Sequence, residues 1–313
     1  MVAAEVARWP AAEVAEAVVA AGGAAACLRS ADEWRVHPQG KAVAAEPLMA
    51  IERIGDAPAR PLPPADRPLA GVRVLDLTHV IAGPACGRVL AAHGADVLHV
   101  GAARLPTVFP LVVDHGFGKR TCHLDLRAEE NRATLRGLLA DADVMVQSFR
   151  PDTLAAKGFG PADLPPGVIL VSISAYGHSG PWRNRRGFDS LVQLATGIAQ
   201  DSGDRLVSLP AQALDHATGW LAAAAVMTAL RRRAVEGGTW HVRLSLARTA
   251  RWFDDLGRVE SVEVPGFADP YLSDMDSDFG VVRHVRCPGG LPGSPPGYGH
   301  GPRTPGSDPA AWW

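Results

Sequence analysis

The chain has 313 residues, 47% of them hydrophobic and 20% charged, and a formal net charge of −2. That length suits one large domain or two ordinary ones, and the balanced charge supplies neither the basic excess of a nucleic-acid binder nor an acidic solvating tail. Four cysteines, Cys27, Cys86, Cys122 and Cys287, lie far apart and never at C-x-x-C spacing, which reads as free thiols rather than a disulfide framework or a zinc site.

The N-terminus carries Glu5, Glu13 and Glu16 where a signal peptide would have a basic region and an unbroken apolar core. The most apolar run, LAAAAVMTAL, falls short of the roughly 20 apolar residues that a membrane span needs. A cytoplasmic protein is expected. Residues 1–56 form a first segment. AAEVAEAVVAAGG has helical spacing with a glycine stop, and SADEWRVHPQGKAV opens with Ser30 and Glu33 at capping-box spacing. A proline-rich connector occupies residues 57–70.

The pattern then changes. VRVLDL, ADVLHV, KRTCHLDL, DVMVQS and GVILVSISAY are short β-branched runs, and helical stretches such as GPACGRVLAAHG and AEENRATLRGLLADA lie between several of them. Apolar strands alternating with helices predict an α/β fold over residues 71–263: a Rossmann-like, mainly parallel sheet with helices on both faces. A long helix follows in LDHATGWLAAAAVMTALRRR. TWHVRLSLA reads as a strand, and residues 264–313, rich in Gly and Pro, as an irregular tail laid over a surface or partly disordered.

Several chemistries are disfavoured. The turn after the first strand, THVIAGPACG, lacks G-x-G-x-x-G, and no G-x-x-x-x-G-K-[ST] occurs. GHSGP is not the G-x-S-x-G of a serine hydrolase. His79, His93, His99 and His115 show no metal-ligand spacing and read as surface or loop residues, so no metal is expected.

RPLAGVRVLDLTHVIAGPACGRVLAAHGADVLHV resembles the opening of the family III CoA-transferases, the CaiB/BaiF type that includes formyl-CoA transferase and alpha-methylacyl-CoA racemase. The resemblance continues in order through GKRTCHLDLR, ADVMVQSFRPDTLAAKGF, VILVSISAYGHSGPW, RRGFDSLVQLATGIA and LPAQALDHATGWLAAAAVMTALRRR, over roughly residues 67–250. It implies a Rossmann-like large domain, a smaller domain and an interlocked homodimer. It also implies transfer of coenzyme A from an acyl-CoA donor to a carboxylic acid, with the CoA thioester as substrate and no permanently bound cofactor. The position matching the nucleophilic aspartate is Asp215. An acid at a helix N-cap position is also simply a good cap, because the free N–H groups there favour an anion. Arg231, Arg232 and Arg233 then match the negative end of the same helix.

By the same resemblance, CoA contacts fall at the carboxyl ends of the strands. They are Ile81 and Ala82 after the first strand, and Leu124 and Arg127 after the third. Ser148, Phe149 and Arg150 follow the fourth, and Ser174, Tyr176 and Gly177 the fifth. Phe149 and Tyr176 are candidates to pack the adenine. Arg127, Arg150, Lys119 and Arg120 are candidates for the phosphates, the alternative for each being a solvated surface charge.

Two departures qualify the reading. Phe188 stands where the racemases carry a histidine, and phenylalanine moves no proton. Residues 1–56 resemble the end of a family small domain, an α/β fragment that precedes the large domain instead of following it. A longer protein with two family-like halves is therefore expected. The alternatives to a transferase are a non-catalytic or truncated relative that binds CoA or a partner chain, and a CoA-ester racemase.

Overall fold

Strands buried on both faces must be apolar along their length, and the runs singled out above form a sheet on that principle. The computed structural model describes residues 2–105, 107–203, 205–257, 266 and 269–313. Helices α1 (Val2–Val6), α2 (Ala11–Ala20), α3 (Ala31–Val36) and α4 (Pro38–Ala45) precede strand β1 (Ala50–Gly55). Next come β2 (Arg73–Leu77), α5 (Ala82–Ala92), β3 (Asp96–Gly101), α6 (Phe109–His115), β4 (Lys119–His123), α7 (Glu129–Ala140), β5 (Val144–Gln147) and β6 (Ile169–Ser174). They are followed by α8 (Asp189–Thr196), a ribbon of β7 (Gln200–Asp201) and β8 (Leu206–Val207), and the long α9 (Ala213–Glu236). Last come β9 (Thr239–Ser245), α10 (Leu246–Asp255), and a hairpin of β10 (Leu272–Ser277) and β11 (Gly280–Val285).

These elements divide between two compact units that do not follow the linear segments. The first comprises Met1–Ala50, Ile173–Thr218 and Leu244–Val259; the second comprises Ile51–Ser172, Gly219–Arg243 and Glu260–Trp313. The boundary expected at residues 263 and 264 lies outside the described residues.

The sheet runs in the order β1-β9-β6-β5-β2-β3-β4, and the pairs β6–β5, β5–β2, β2–β3 and β3–β4 are parallel. Chain order turns around at β2, with β3 and β4 laid to one side and β5 and β6 to the other. Ligands enter open parallel sheets outside the carboxyl ends of the strands near such a point. Leu75, Leu98, Met145 and Leu170 from the sheet pack with Leu135, Leu138 and Leu139 of α7 in one buried cluster. The last residues seal the β4 edge: Thr121 N–H donates to Asp308 at 2.9 Å, and Asp308 N–H returns to the Thr121 carbonyl at 2.9 Å. An edge strand covered in this way offers no free ladder to another chain.

Three local expectations change. Ser30 and Glu33 do form a capping box, but the helix stops at Val36 and a second begins at Pro38. A residue before proline is pushed out of the helical region, and His37 sits at φ −61°, ψ 139°. The Gly/Pro-rich tail is not wholly irregular, since it contains the β10–β11 hairpin. Arg233 stands in the last turn of α9, but it serves more than the helix end. It is buried, donating to Asp143 at 2.8 Å and to the Gly167 carbonyl at 3.0 Å.

Candidate active site

Asp215 lies in the first unit, in the opening turn of the 24-residue helix α9. It is the third helical residue rather than the N-cap, because His216 N–H already donates to the Gln212 carbonyl. The first four amides of a helix have no acceptor within it and need one from elsewhere. For Asp215 that acceptor is a second carboxylate: Asp215 N–H donates to Asp189 Oδ2 at 2.9 Å. Asp189 opens α8, and Gln193, one turn on along the same face, donates to its other oxygen. Gln193 also accepts from Leu209 N–H at 2.9 Å, which fixes the approach to α9. Asp189, Gln193 and Asp215 are all buried, with Asp215 7% exposed. Gly197 at φ 79° ends α8 in the left-handed conformation that glycine adopts without strain.

One turn beyond Asp215, Thr218 shares a hydroxyl hydrogen bond with Thr249 of α10 at 2.7 Å. Further along α9, in the second unit, Gly219 packs against the start of α5. A Cβ there would stand 2.5 Å from the Ala82 carbonyl oxygen. That glycine is required by close approach.

The predicted residues Ser174, Tyr176 and Gly177 belong to the first unit with Asp215. Ser174 Oγ accepts from Gly177 N–H at 3.1 Å. Tyr176 is buried against Trp182, with ring centroids 5.1 Å apart, and its hydroxyl has no hydrogen-bond partner among the described residues. Burial pushes that phenol up to about 12. Gln39 and Glu46 latch the following loop. Gln39 donates to the Tyr176 and Ser179 carbonyls at 2.6 and 2.8 Å and accepts from Trp182 N–H at 2.6 Å. Glu46 accepts from His178 N–H and Ser179 N–H, each at 2.9 Å.

In the second unit, the β2–α5 turn is anchored from below. Lys119 Nζ donates to Asp76 at 2.8 Å and to the Pro84 carbonyl at 2.7 Å, both groups being buried. Asp76 also accepts from Thr78 N–H and Thr78 Oγ1, and His99 Nδ1 stands 3.8 Å away. Burial alone would raise Asp76, but the Lys119 ammonium and His99 hold it far below the ordinary carboxylate range. Above this pair Val80 takes φ 73°, a left-handed conformation that is costly for a β-branched residue. Ile81 and Ala82 follow it, buried at the start of α5.

A cavity of about 130 Å³ opens beside this turn, at the carboxyl ends of β2, β3 and β4. His79, His99, His115, His123, Lys119 and Arg303 line it together with apolar residues of α6. Burial, reinforced by His99, pushes His79 below the ordinary histidine range. Of the histidines expected at the surface or in loops, His79, in the β2–α5 loop, His99 and His115 are therefore walls of a cavity. The four cavity histidines come from the β2–α5 loop, β3, α6 and β4, so spacing along the chain carried no trace of them. No group of three or more His, Cys, Asp and Glu among the described residues is arranged to hold a metal ion.

Of the residues expected to touch CoA, Lys119 alone lines this cavity. Arg120 is buried in a bidentate pair with Asp96 at 2.8 and 2.9 Å. Leu124 belongs to the buried core, and Phe149 packs against it with its ring edge-on to His79 at 6.3 Å. Ser148 beside it is half-buried, Arg150 is exposed, and Arg127 pairs with Asp125 on the surface. The residues that sequence reasoning missed are Asp189, Gln193, Glu46 and the cavity histidines. Asp189 and Gln193 do fall within the quoted GFDSLVQLATGIA, at helical i, i+4 spacing, and that was the available signal.

The sequence pattern of CoA-transferase family III matches residues 69–256, which is more than half of the chain. The chain belongs to this family. It is 36% identical over 209 residues to an acetyl-coenzyme A transferase of Hypoxylon pulicicidum, covering 63% of this chain and 35% of that protein. It is 34% identical over 191 residues to a probable fatty acyl-CoA transferase of Mycobacterium tuberculosis, covering 55% and 48%. The orthorhombic crystal structure of that mycobacterial protein superposes with a TM-score of 0.58 at 31% identity, covering 61% of this chain and 57% of that one. A CAIB/BAIF family protein from Brucella suis superposes with a TM-score of 0.55 at 27% identity, covering 69% and 65%. The chain thus spans about half or less of the length of these curated relatives. No helix among the described residues is long and apolar enough to cross a membrane.

Proposed function

We propose that this chain transfers coenzyme A between carboxylic acids, with Asp215 as the covalent nucleophile. The observation that carries the reading is the setting of Asp215. It is a carboxylate in the opening turn of a long helix, buried, with its own amide held by a second buried carboxylate, inside the stretch matched by the family. Among the family relatives are a succinyl-CoA–L-malate CoA-transferase beta subunit of Chloroflexus aurantiacus and a formyl-CoA:oxalate CoA-transferase of Rhodopseudomonas palustris.

The Asp215 carboxylate attacks the donor thioester carbonyl, the carbon–sulfur bond breaks, and a mixed anhydride and CoA thiolate result. The thiolate then attacks the Asp215 carbonyl and expels the donor acid, leaving an aspartyl-CoA thioester. The acceptor carboxylate attacks that thioester, re-forming an anhydride and thiolate. Thiolate attack on the acceptor carbonyl releases the new acyl-CoA and the Asp215 carboxylate. Each step replaces one difficult transfer by an easier one, and no proton or external energy source is consumed. The α9 N-terminus favours the ionised form that begins the cycle.

The cavity of His79, His99, His123, Lys119 and Arg303 in the second unit is by itself too small for a whole cofactor-sized ligand. CoA arrives as substrate and is not retained. The expected assembly is a homodimer, and elution at monomer mass on sizing chromatography would contradict it.

The chemistry has an isotopic signature. The bridging oxygen of the second anhydride comes from the acceptor and stays on Asp215 when the product leaves. Turnover with acceptor carboxylate labelled in both oxygens should therefore leave heavy oxygen in the Asp215 peptide. Turnover that leaves this peptide unlabelled would refute the nucleophile assignment.

A further inference from the structure

Asp189 opens α8 and is buried, and among the described residues its oxygens are held by an amide and a side-chain amide rather than by a cation. One oxygen accepts from the Asp215 amide at 2.9 Å and the other from the Gln193 side chain. Gln193 in turn holds Leu209 N–H at 2.9 Å and lies 3.5 Å from the Ala211 carbonyl. Two side chains of α8 therefore grip the chain at two points on its way into α9, and one of those points is the backbone of Asp215 itself.

We propose that Asp189 is a positioning residue for Asp215, a role that rests on the nucleophile assignment above. Its chemical basis is the change of charge during the cycle. Asp215 starts as an anion, becomes a neutral anhydride, then a neutral thioester, and returns to an anion. A helix N-terminus stabilises an adjacent anion and loses that stabilisation when the anion is neutralised. Asp189 never reacts, so its carboxylate remains on the Asp215 amide through every step. The Asp215 amide keeps the same acceptor oxygen at the same place, so the start of α9 need not reorganise when the nucleophile is esterified. The 2.9 Å hydrogen bond to this buried amide holds the backbone there, because an amide buried without an acceptor is costly. Near-attack geometry tolerates little displacement, a shift of about 1 Å costing on the order of 100-fold in rate.

Three variants separate position from charge. Asp189→Ala removes both acceptors. Asp189→Asn keeps the acceptor for the Asp215 amide while giving up the charge and the acceptor for Gln193. Asp189→Glu keeps the charge and displaces it by one methylene. The readouts are single-turnover rates of Asp215 modification by acyl-CoA, kcat and KM for the same acyl-CoA, and amide hydrogen exchange at Asp215.

Asp189→Ala and Asp189→Glu should slow modification by roughly 10- to 100-fold, mainly in kcat with KM little changed, and should speed exchange of the Asp215 amide. Asp189→Asn should recover most of the rate and the protection. If Asp189→Ala does not unfold cooperatively, the ranking of Asn above Glu carries the test. Modification at the wild-type rate in the Ala or Glu variant, or equal losses in Asn and Glu, would overturn the positioning role while leaving the nucleophile intact. A wild-type protein that turns over without any modification of Asp215 would overturn both.

Discussion

The two units hold their buried polar groups in different ways. The sheet unit pairs acids with cations: Asp76 with Lys119 and Asp143 with Arg233, each at 2.8 Å, and Asp96 with Arg120. The unit carrying Asp215 leans more on side chains bonded to backbone, a device the sheet unit uses alongside its ion pairs at Asp308 and Arg233. Gln39 and Glu46 hold the loop from Tyr176 to Trp182, and Asp189 and Gln193 hold the entry to α9. An ion pair between strands and helices fixes element against element. A side chain bonded to a peptide group fixes the path of a loop, and so the direction in which a neighbouring side chain leaves it. The first device suits a scaffold and the second suits a reactive group.

Splitting a buried ion pair should show the largest effect on stability. Lys119→Met strands the Asp76 carboxylate and should lower the unfolding free energy by about 3–5 kcal/mol in urea titrations. Adding Asp76→Asn should return part of that loss, because the stranded charge is then gone. A Lys119→Met protein as stable as wild type would remove the scaffold role and leave Lys119 as a ligand-facing cation.

The matching experiment in the other unit is smaller. Gln39→Met leaves two carbonyls and one amide to find new partners, and a loss of about 1–3 kcal/mol is expected. Hydrogen exchange should quicken between Tyr176 and Trp182 while the sheet strands stay protected. Uniform loosening of both units would break the distinction.

The smallest effect concerns pH. Burial depresses His79 in the folded state, whereas the unfolded chain takes up a proton near pH 6.5. Below about that pH the unfolded form binds more protons, so this part of the stability is complete above pH 6.5 and declines as pH falls. His79→Gln should flatten the dependence between pH 7.5 and 5.5 in urea titrations. An unchanged slope would remove His79 as its source.

The sheet was legible because VRVLDL, ADVLHV and DVMVQS are apolar enough to be buried on both faces, and burial is what makes a parallel strand. β10 was not, since LSDMDS carries no buried residue and mixes exposed with half-buried positions. Asp215 was legible only as a motif position, and its placement in the first helical turn required knowing that Gln212 begins the hydrogen-bonding. Asp189 looked like any acid in a first helical turn. Its role depends on an amide 26 residues away in sequence, a contact that only folding creates. The cavity histidines share that reason, since four separate segments deliver them to one place.

The account turns on whether Asp215 becomes covalently bonded to CoA. The direct measurement is peptide mass spectrometry after brief exposure to a panel of acyl-CoAs, with and without hydroxylamine. The account predicts CoA on the Asp215 peptide, its replacement by hydroxamate in hydroxylamine, and neither in Asp215→Ala. An unmodified Asp215 peptide in protein that is transferring CoA would contradict it.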